Sequence, residues 1–550
     1  MAKKWLNIGL AASVLASVTL AGCSSSNTED KGSTTGDTTS TTSVQEINLA
    51  EADDIGTLDV SLTNNTVSSN AIGQLYEGLV HLDKDNKPAP GTAKSWEVSS
   101  DGLTYTFHLQ DNAKWWDGTP VTAQDFVYSW TRTLDPKTKS EYAFILYWIK
   151  GAQDFNNGKG AKEDIALKAV DDKTLQVTLD APRPYFIATM AFPTYYPLQQ
   201  KAVEAAGDKY GGDVDKVMGN GPFKITSWNH DQEWVFEKAD TYWDAANVKL
   251  TKATYQVVKD QNAKLNLYES GQLDRTGLTR EQVELYKGNK EMSQYMSAGS
   301  FYLEYNTKVK PLNNVKVRQA LSYALDSQKL VDVVWADGSV KAQSLTPKGT
   351  LDGMTGDYTA GLGDLIKQSE NASKAKQLLE EGLKEEGLSA FPKLKLTNTD
   401  SSNSKKMDEF LKEQWRTNLG IDIEIEEVPF KLKVQKQYGH QFDIVSAGWN
   451  PDYDDAMTYL DMFVTGSPNN DGQWSNADYD ALVKKATAEA DPKKRLGYMQ
   501  DAEKILLKEL PLIPLYWPGA TVLTKSYVKD WVIRKSSPVS DLKFVHIEGK

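Results

Sequence analysis

The stretch Gln441–Asp455, QFDIVSAGWNPDYDD, gathers residue types that hold ligands. Phe442, Ile444 and Val445 give it the apolar, β-branched start of a strand. Gly448, Trp449, Asn450 and Pro451 then break it into a turn, and Asp452, Asp454 and Asp455 follow around Tyr453. Gly448 permits close approach of another backbone. Trp449 offers a flat apolar wall with one N–H donor. Asp452 has the charge to hold a cation. Taken alone, the window is better explained as a hydrated acidic turn beside a core tryptophan, because acid clusters are usually solvated. The rest of the chain reverses that preference.

Covalent chemistry has little to stand on. No HExxH, CxxC, P-loop or GxSxG pattern occurs, and the five histidines (81, 108, 230, 440 and 546) are not spaced as ligands on one helix. No metal site and no cofactor are expected. Carboxylates are abundant, so an extracellular hydrolase working through an acid pair stays open as a second class. A purely adhesive protein is a third. The 15 Trp and 25 Tyr speak against adhesion, since rigid aromatics suit a site that accepts varied side chains, although most will fill the core.

Residues 1–22 read as an export signal: Lys3 and Lys4, an apolar run Trp5–Leu20, then small residues leading directly into Cys23. Leu20–Ala21–Gly22–Cys23 is similar to a bacterial lipobox, with cleavage before Cys23 and a diacylglyceryl group on its thiol. Residues 24–43, SSSNTEDKGSTTGDTTSTTS, have almost nothing to bury and read as a flexible tether. Cys23 is the only cysteine, so the body has no internal disulfide and must be held by the size of its core. The formal net charge of −13 grows two units more negative once Lys3 and Lys4 leave. That argues against nucleic acid and against docking on anionic lipid, so attachment to a membrane must come from acyl chains such as palmitate.

The body alternates strand and helix signals, which predicts mixed α/β (α+β) lobes. Val44–Ala50 reads as the first strand and residues 53–70 as a loop leading into a helical turn at Leu75. Pro88–Gly91 reads as a turn. Leu103, Tyr105, Phe107 and Leu109 alternate onto one sheet face after an Asp101–Gly102 hairpin turn. Thr122 caps a helix predicted over Ala123–Leu134, with Phe126, Val127 and Trp130 on its apolar face. Val315–Leu325 is amphipathic, with Arg318 on the polar side.

The segment APGTAKSWEVSSDGLTYTFHLQDNAKWWDGTPVTAQDFVYSW resembles the long N-terminal motif of family 5 extracellular solute-binding proteins, the group that contains oligopeptide-binding lipoproteins of ABC importers. About forty residues with this many fixed Trp, Gly and Pro positions are far more specific than a short motif. LYEGL at 75–79, NGPFKITSW at 220–228, VKVRQALSYALD at 315–326 and PLIPLYW at 511–517 agree, so the resemblance spans about 46–535. It implies a periplasmic-binding-protein-like, type II clamshell with an extra inserted lobe. Lobe I would be 44–76, 202–303 and 516–550, lobe II the insert 77–201, and lobe III 304–515. It implies no enzyme but a monomeric, lipid-anchored protein on the extracytoplasmic face, on a Gram-positive cell surface, handing an oligopeptide to permease subunits. Extended ligand backbone would pair with Asn64–Asn65–Thr66 and Gly448–Trp449–Asn450. Asp452 would take the ligand α-ammonium, and Tyr142, Phe430 and Trp449 would line side-chain pockets. Two departures bear on the ligand: Ser446 stands where some relatives carry Arg, and Asn64 where some carry an acid. A receptor for one dedicated signalling peptide is therefore the close alternative.

Overall fold

Strand Ser300–Tyr305 lies at the centre of the sheet that carries the acidic window. The computed structural model describes residues 44–550 apart from Thr355 and Ser537; the expected export signal, the expected lipidation of Cys23 and the expected tether lie outside the described residues. In this six-stranded sheet the order is Val340–Lys341, Leu512–Trp517, Ser300–Tyr305, Ile444–Trp449, Lys395–Thr399, Glu424–Val428. Ser300–Tyr305 runs antiparallel to Ile444–Trp449, pairing Ser300 with Trp449 and Tyr305 with Ile444. Lys395–Thr399 joins the other side in parallel. Helices and loops cover both faces. Leu303, Tyr305 and Ile444 enter one core with Leu321, Leu396 and Trp415. Tyr302 and Ala447, on the opposite side of the pleat, enter a second with Tyr358, Tyr459 and Met499.

Two four-stranded sheets share the largest core. One is Glu46–Glu51, Lys252–Val257, Glu233–Lys238, Phe223–Asn229, with the first pair parallel. The other is Ala93–Val98, Thr104–Leu109, Thr174–Thr178, Leu167–Asp171. Tyr105, Phe107 and Leu109 are buried, as their alternation predicts. Against this sheet lies helix Ala123–Leu134, begun at Thr122, whose backbone N–H donates to the Asp125 carboxylate at 2.8 Å. Phe126 and Trp130 are fully buried, and the Trp130 indole N–H donates to the Tyr195 carbonyl at 2.9 Å. A three-stranded sheet, Arg275–Gly277, Gly519–Thr524, Met292–Met296, completes the larger framework.

Three expectations need correction. The predicted loop 53–70 ends earlier: a helix, Thr66–Leu75, starts where the Asn65 side chain accepts from the Ser68 N–H at 2.9 Å. The cap supplies the start that apolar spacing did not show. Pro88–Pro90 is a short edge strand paired with Val80–Leu82 rather than a turn, a position where proline's missing N–H faces away from the ladder. Arg318 sits on helix Val315–Tyr323 but is 3% exposed. It donates to the carbonyls of Glu509 and Leu510 at the C-terminus of helix Pro492–Glu509, satisfying orphan carbonyls there, and to those of Leu312 and Asn313 in the segment ahead of its own helix.

Candidate functional site

Chain segments remote in sequence converge on a cleft of about 470 Å³. That lies within the ~300–1000 Å³ usual for ligand pockets. The residues 63–66 form one wall at the start of helix Thr66–Leu75. Asn64 donates from its amide to the Glu141 carboxylate at 2.8 Å, which ties this wall to Tyr142. Tyr142 stacks on Phe192 with ring centroids 5.5 Å apart. Asn450, Pro451 and Asp452 form the facing wall, supported by the bend Ser297–Ala298–Gly299. A Cβ on Gly299 would meet the Asn450 side-chain oxygen at 2.7 Å, so glycine lets these two turns touch. Arg275, Tyr295, Trp531 and Lys535 close the far side.

The three acids of the window have three different fates. Asp455 receives two guanidinium bonds from Arg495, at 2.7 and 2.8 Å, in a fully buried bridge. Asp454 accepts from Lys535 at 2.9 Å and from the Leu351 N–H at 3.0 Å. Asp452 is 7% exposed, yet among the described residues its carboxylate has neither a hydrogen bond nor an ion pair; only its backbone N–H is used, toward Thr458. Burial, with the nearby Asp461 charge adding to it, pushes the Asp452 carboxyl up to about 7. Tyr142 feels the same charge: burial first, then Asp452, raises its phenol. A buried carboxylate without a partner is costly, and a cation entering the cleft would relieve that cost.

Of the residues expected at the site, Asn64, Asn65, Thr66, Tyr142, Asn450 and Asp452 line this one cleft. The others lie elsewhere. Phe430 opens helix Phe430–Tyr438 and is 68% exposed, away from the lining. Trp449 donates its indole N–H to Thr458 at 3.2 Å and packs on the core behind the cleft. The space left by the missing side chain of Gly448 is taken by the Phe301 ring, whose Cδ1 would lie 2.7 Å from an added Cβ. The close approach at Gly448 is therefore that of a ring from the neighbouring strand. Even so, the outer edge of Ile444–Trp449 pairs with Lys395–Thr399 only at Ile444 and Val445, leaving Ser446–Trp449 without a strand partner on that side among the described residues. Residues 297–299, Arg275 and Trp531 escaped the sequence reading, since nothing in their local patterns marks them. Among the described residues no group of three or more His, Cys, Asp or Glu is arranged to hold a metal ion, and no helix is long and apolar enough to cross a membrane.

The model of bacterial extracellular solute-binding proteins, family 5, matches residues 87–471. The chain belongs to that family. Members of family 5 are extracytoplasmic solute-binding proteins, not enzymes. The dipeptide-binding protein DppE of Bacillus subtilis is 37% identical over 480 residues, covering 87% of this chain and 88% of DppE. The oligopeptide-binding protein OppA of the same organism is 35% identical over 547 residues, 96% of each chain. Among solved structures, the substrate-binding domain of an oligopeptide ABC transporter from Bacillus anthracis superposes with a TM-score of 0.80 at 40% identity, covering 92% of this chain and 99% of that one. The pheromone receptor PrgZ superposes with a TM-score of 0.80 at 33% identity, covering 92% and 100%. With its mixed helices and sheets, this family 5 chain has the OppA-type, type II clamshell fold.

Proposed function

We propose that this chain captures oligopeptides for an ABC importer. The observation that carries the reading is Asp452: a buried carboxylate with no partner among the described residues, on the wall of an open cleft of about 470 Å³. An α-ammonium is the cation every peptide brings, and a charge-assisted bond to it in a water-poor site contributes roughly 1.5–3 kcal/mol. The unpaired edge Ser446–Trp449 and the polar wall Asn64–Thr66 offer hydrogen bonds to extended ligand backbone, which every peptide also has. Recognition would thus rest on shared features, with waters filling side-chain pockets. The division into lobe I (44–76, 202–303, 516–550), lobe II (77–201) and lobe III (304–515) belongs to this proposal. So do closure of lobes I and III about their crossings, anchoring through Cys23, a monomeric state and delivery to permease subunits.

A second reading, a receptor for one signalling peptide, is favoured by the likeness to PrgZ and by Ser446 and Asn64 in place of charged residues. Native mass spectrometry of protein purified from its own cells tests both. A distribution of co-purified peptides supports capture of varied oligopeptides, and a single sequence supports the receptor. A non-peptide ligand filling the cleft would overturn both.

A further inference from the structure

Six of the eight arginines are buried or half-buried, and among the described residues five of these have a carboxylate within 4 Å. Arg275 is the exception. It begins strand Arg275–Gly277, opposite Thr524, and donates to the Thr524 hydroxyl at 2.6 Å. Its guanidinium lies 4.5 Å from the centre of the Trp531 ring, and the Tyr295 side chain is its other polar neighbour. The adjacent acid does not serve it. Asp274 is fully buried, where it accepts from the Asn48 N–H at 2.7 Å, from the Tyr527 hydroxyl at 2.5 Å and from Lys550 at 3.2 Å. Asp274, just ahead of the strand, is turned into the interior, while Arg275 lines the cleft. The other cleft cations are taken: Arg534 by Asp541 at 2.6 Å and Lys535 by Asp454 at 2.9 Å. Glu51, an acid on the lining, has Lys264 as its counter-charge.

Among the described residues the cleft therefore carries one uncommitted anion, Asp452, and one uncommitted cation, Arg275. Stacking on Trp531 and the bond to Thr524 fix the guanidinium plane, and of its five N–H donors most are left for a ligand. We propose that Arg275 is an anion-recognition point that takes a carboxylate of the bound peptide, either its C-terminus or an acidic side chain, as the counterpart to the ammonium at Asp452. This rests on the peptide reading given above. A ligand with both charges would neutralise both walls, and an immobilised guanidinium meets a planar carboxylate with two parallel bonds. Ser446 supplies no charge for this role, and Arg275 comes to it from a different sheet.

The test uses the whole mature protein and three synthetic peptide pools with free N-termini. The first has free C-termini and no Asp or Glu, the second is C-amidated without Asp or Glu, and the third is C-amidated with one Glu. Binding is read by calorimetry on wild type, Arg275→Gln and Arg275→Lys. Wild type should prefer the first or the third pool over the second by about 10- to 100-fold, and the preferred pool names the source of the carboxylate. Arg275→Gln should abolish that preference while binding the second pool as wild type does, which also reports that the variant is folded; Arg275→Lys should restore part of it. Equal binding of all three pools by wild type, or an equal loss for all three in Arg275→Gln, overturns the assignment of Arg275 alone. No binding of any pool by wild type overturns the peptide reading, and this inference with it.

Discussion

Acid should release a peptide ammonium from this cleft well before it disturbs the fold. Asp452 titrates near 7 in the free protein because burial and Asp461 both oppose its charge. A peptide α-ammonium titrates near 7.7–8.0, so affinity should peak between about pH 7 and 8 and fall on both sides. With a carboxyl pKa near 7, about three-quarters of the sites are charged at pH 7.5 and roughly 3% at pH 5.5, while the ammonium goes from about 60–75% to fully charged, so the affinity drops ~15- to 20-fold across that interval. Near pH 7 binding should also expel a net ~0.3–0.4 proton per peptide, measurable by calorimetry in buffers of different ionisation enthalpy. Stability moves the other way. The folded pKa lies above the unfolded value of about 3.9, so between pH 4 and 7 the unfolded chain holds fewer protons and Asp452 costs stability as pH rises. Asp452→Asn should therefore stabilise the ligand-free protein at pH 8 by about 1–3 kcal/mol, and change little at pH 4. The same substitution should weaken peptide binding at pH 7.5 by roughly 2–4 kcal/mol and remove the acid limb, as N-acetylation of the peptide should. Asp461→Asn should keep the acid limb but move it to lower pH. Peptide affinity that is flat from pH 5.5 to 7.5, or an acid limb that survives in Asp452→Asn, would refute the reasoning.

Other expectations follow from neighbouring parts of the molecule. Asp455→Ala leaves Arg495, 1% exposed, without its carboxylate and should cost about 3–5 kcal/mol in urea unfolding, whereas Asp455→Leu with Arg495→Met should recover most of it; equal losses would mean the bridge is not the cause. Gly448→Ala sets a strand gain of about 0.5–1 kcal/mol against overpacking by the Phe301 ring of about 1–3 kcal/mol. That ring is held from behind by its stack on Tyr516 at 5.2 Å, so the sum should be destabilising, and a more stable variant would show the ring is free to move. Cys23→Ser should release the protein from membranes or leave it unprocessed, read by fractionation, and normal anchoring would sink the lipobox reading. Saturating peptide should shrink the radius of gyration in small-angle scattering, and an unchanged value counts against hinge closure.

Much of the framework was legible because local signals agreed with one another. Thr122 as a cap, followed by Phe126 and Trp130 at helical spacing, marked the helix Ala123–Leu134 to the residue. Tyr105, Phe107 and Leu109 fixed a strand face in the same way. The site was less legible. Asp452, Asp454 and Asp455 are the same residue type within four positions, and what separates them is whether Lys535, Arg495 or nothing faces each one. Those partners come from 40 residues or more away in sequence. Arg318 looked solvated because helical period cannot report that another helix ends against it. Arg275 stands in a short polar run, and its distinction arises from Thr524, Tyr295 and Trp531, which only the tertiary fold brings to it. The residues that do line the cleft were reached through resemblance more than through pattern.

The sole cysteine, Cys23, stands ahead of the described body and leaves that body without a thiol, which bears on how it matures and how it can be watched. A folded part without thiols has no wrong pairing to undo, so its refolding outside the cytoplasm should be indifferent to oxidant and to isomerases. It also makes the body a blank background for thiol labelling. With Cys23 replaced, one cysteine placed beside Asn64 and one near Asn450 would be the only reactive groups in the chain, and a dye pair there would follow the distance between the two walls molecule by molecule as each ligand enters and leaves.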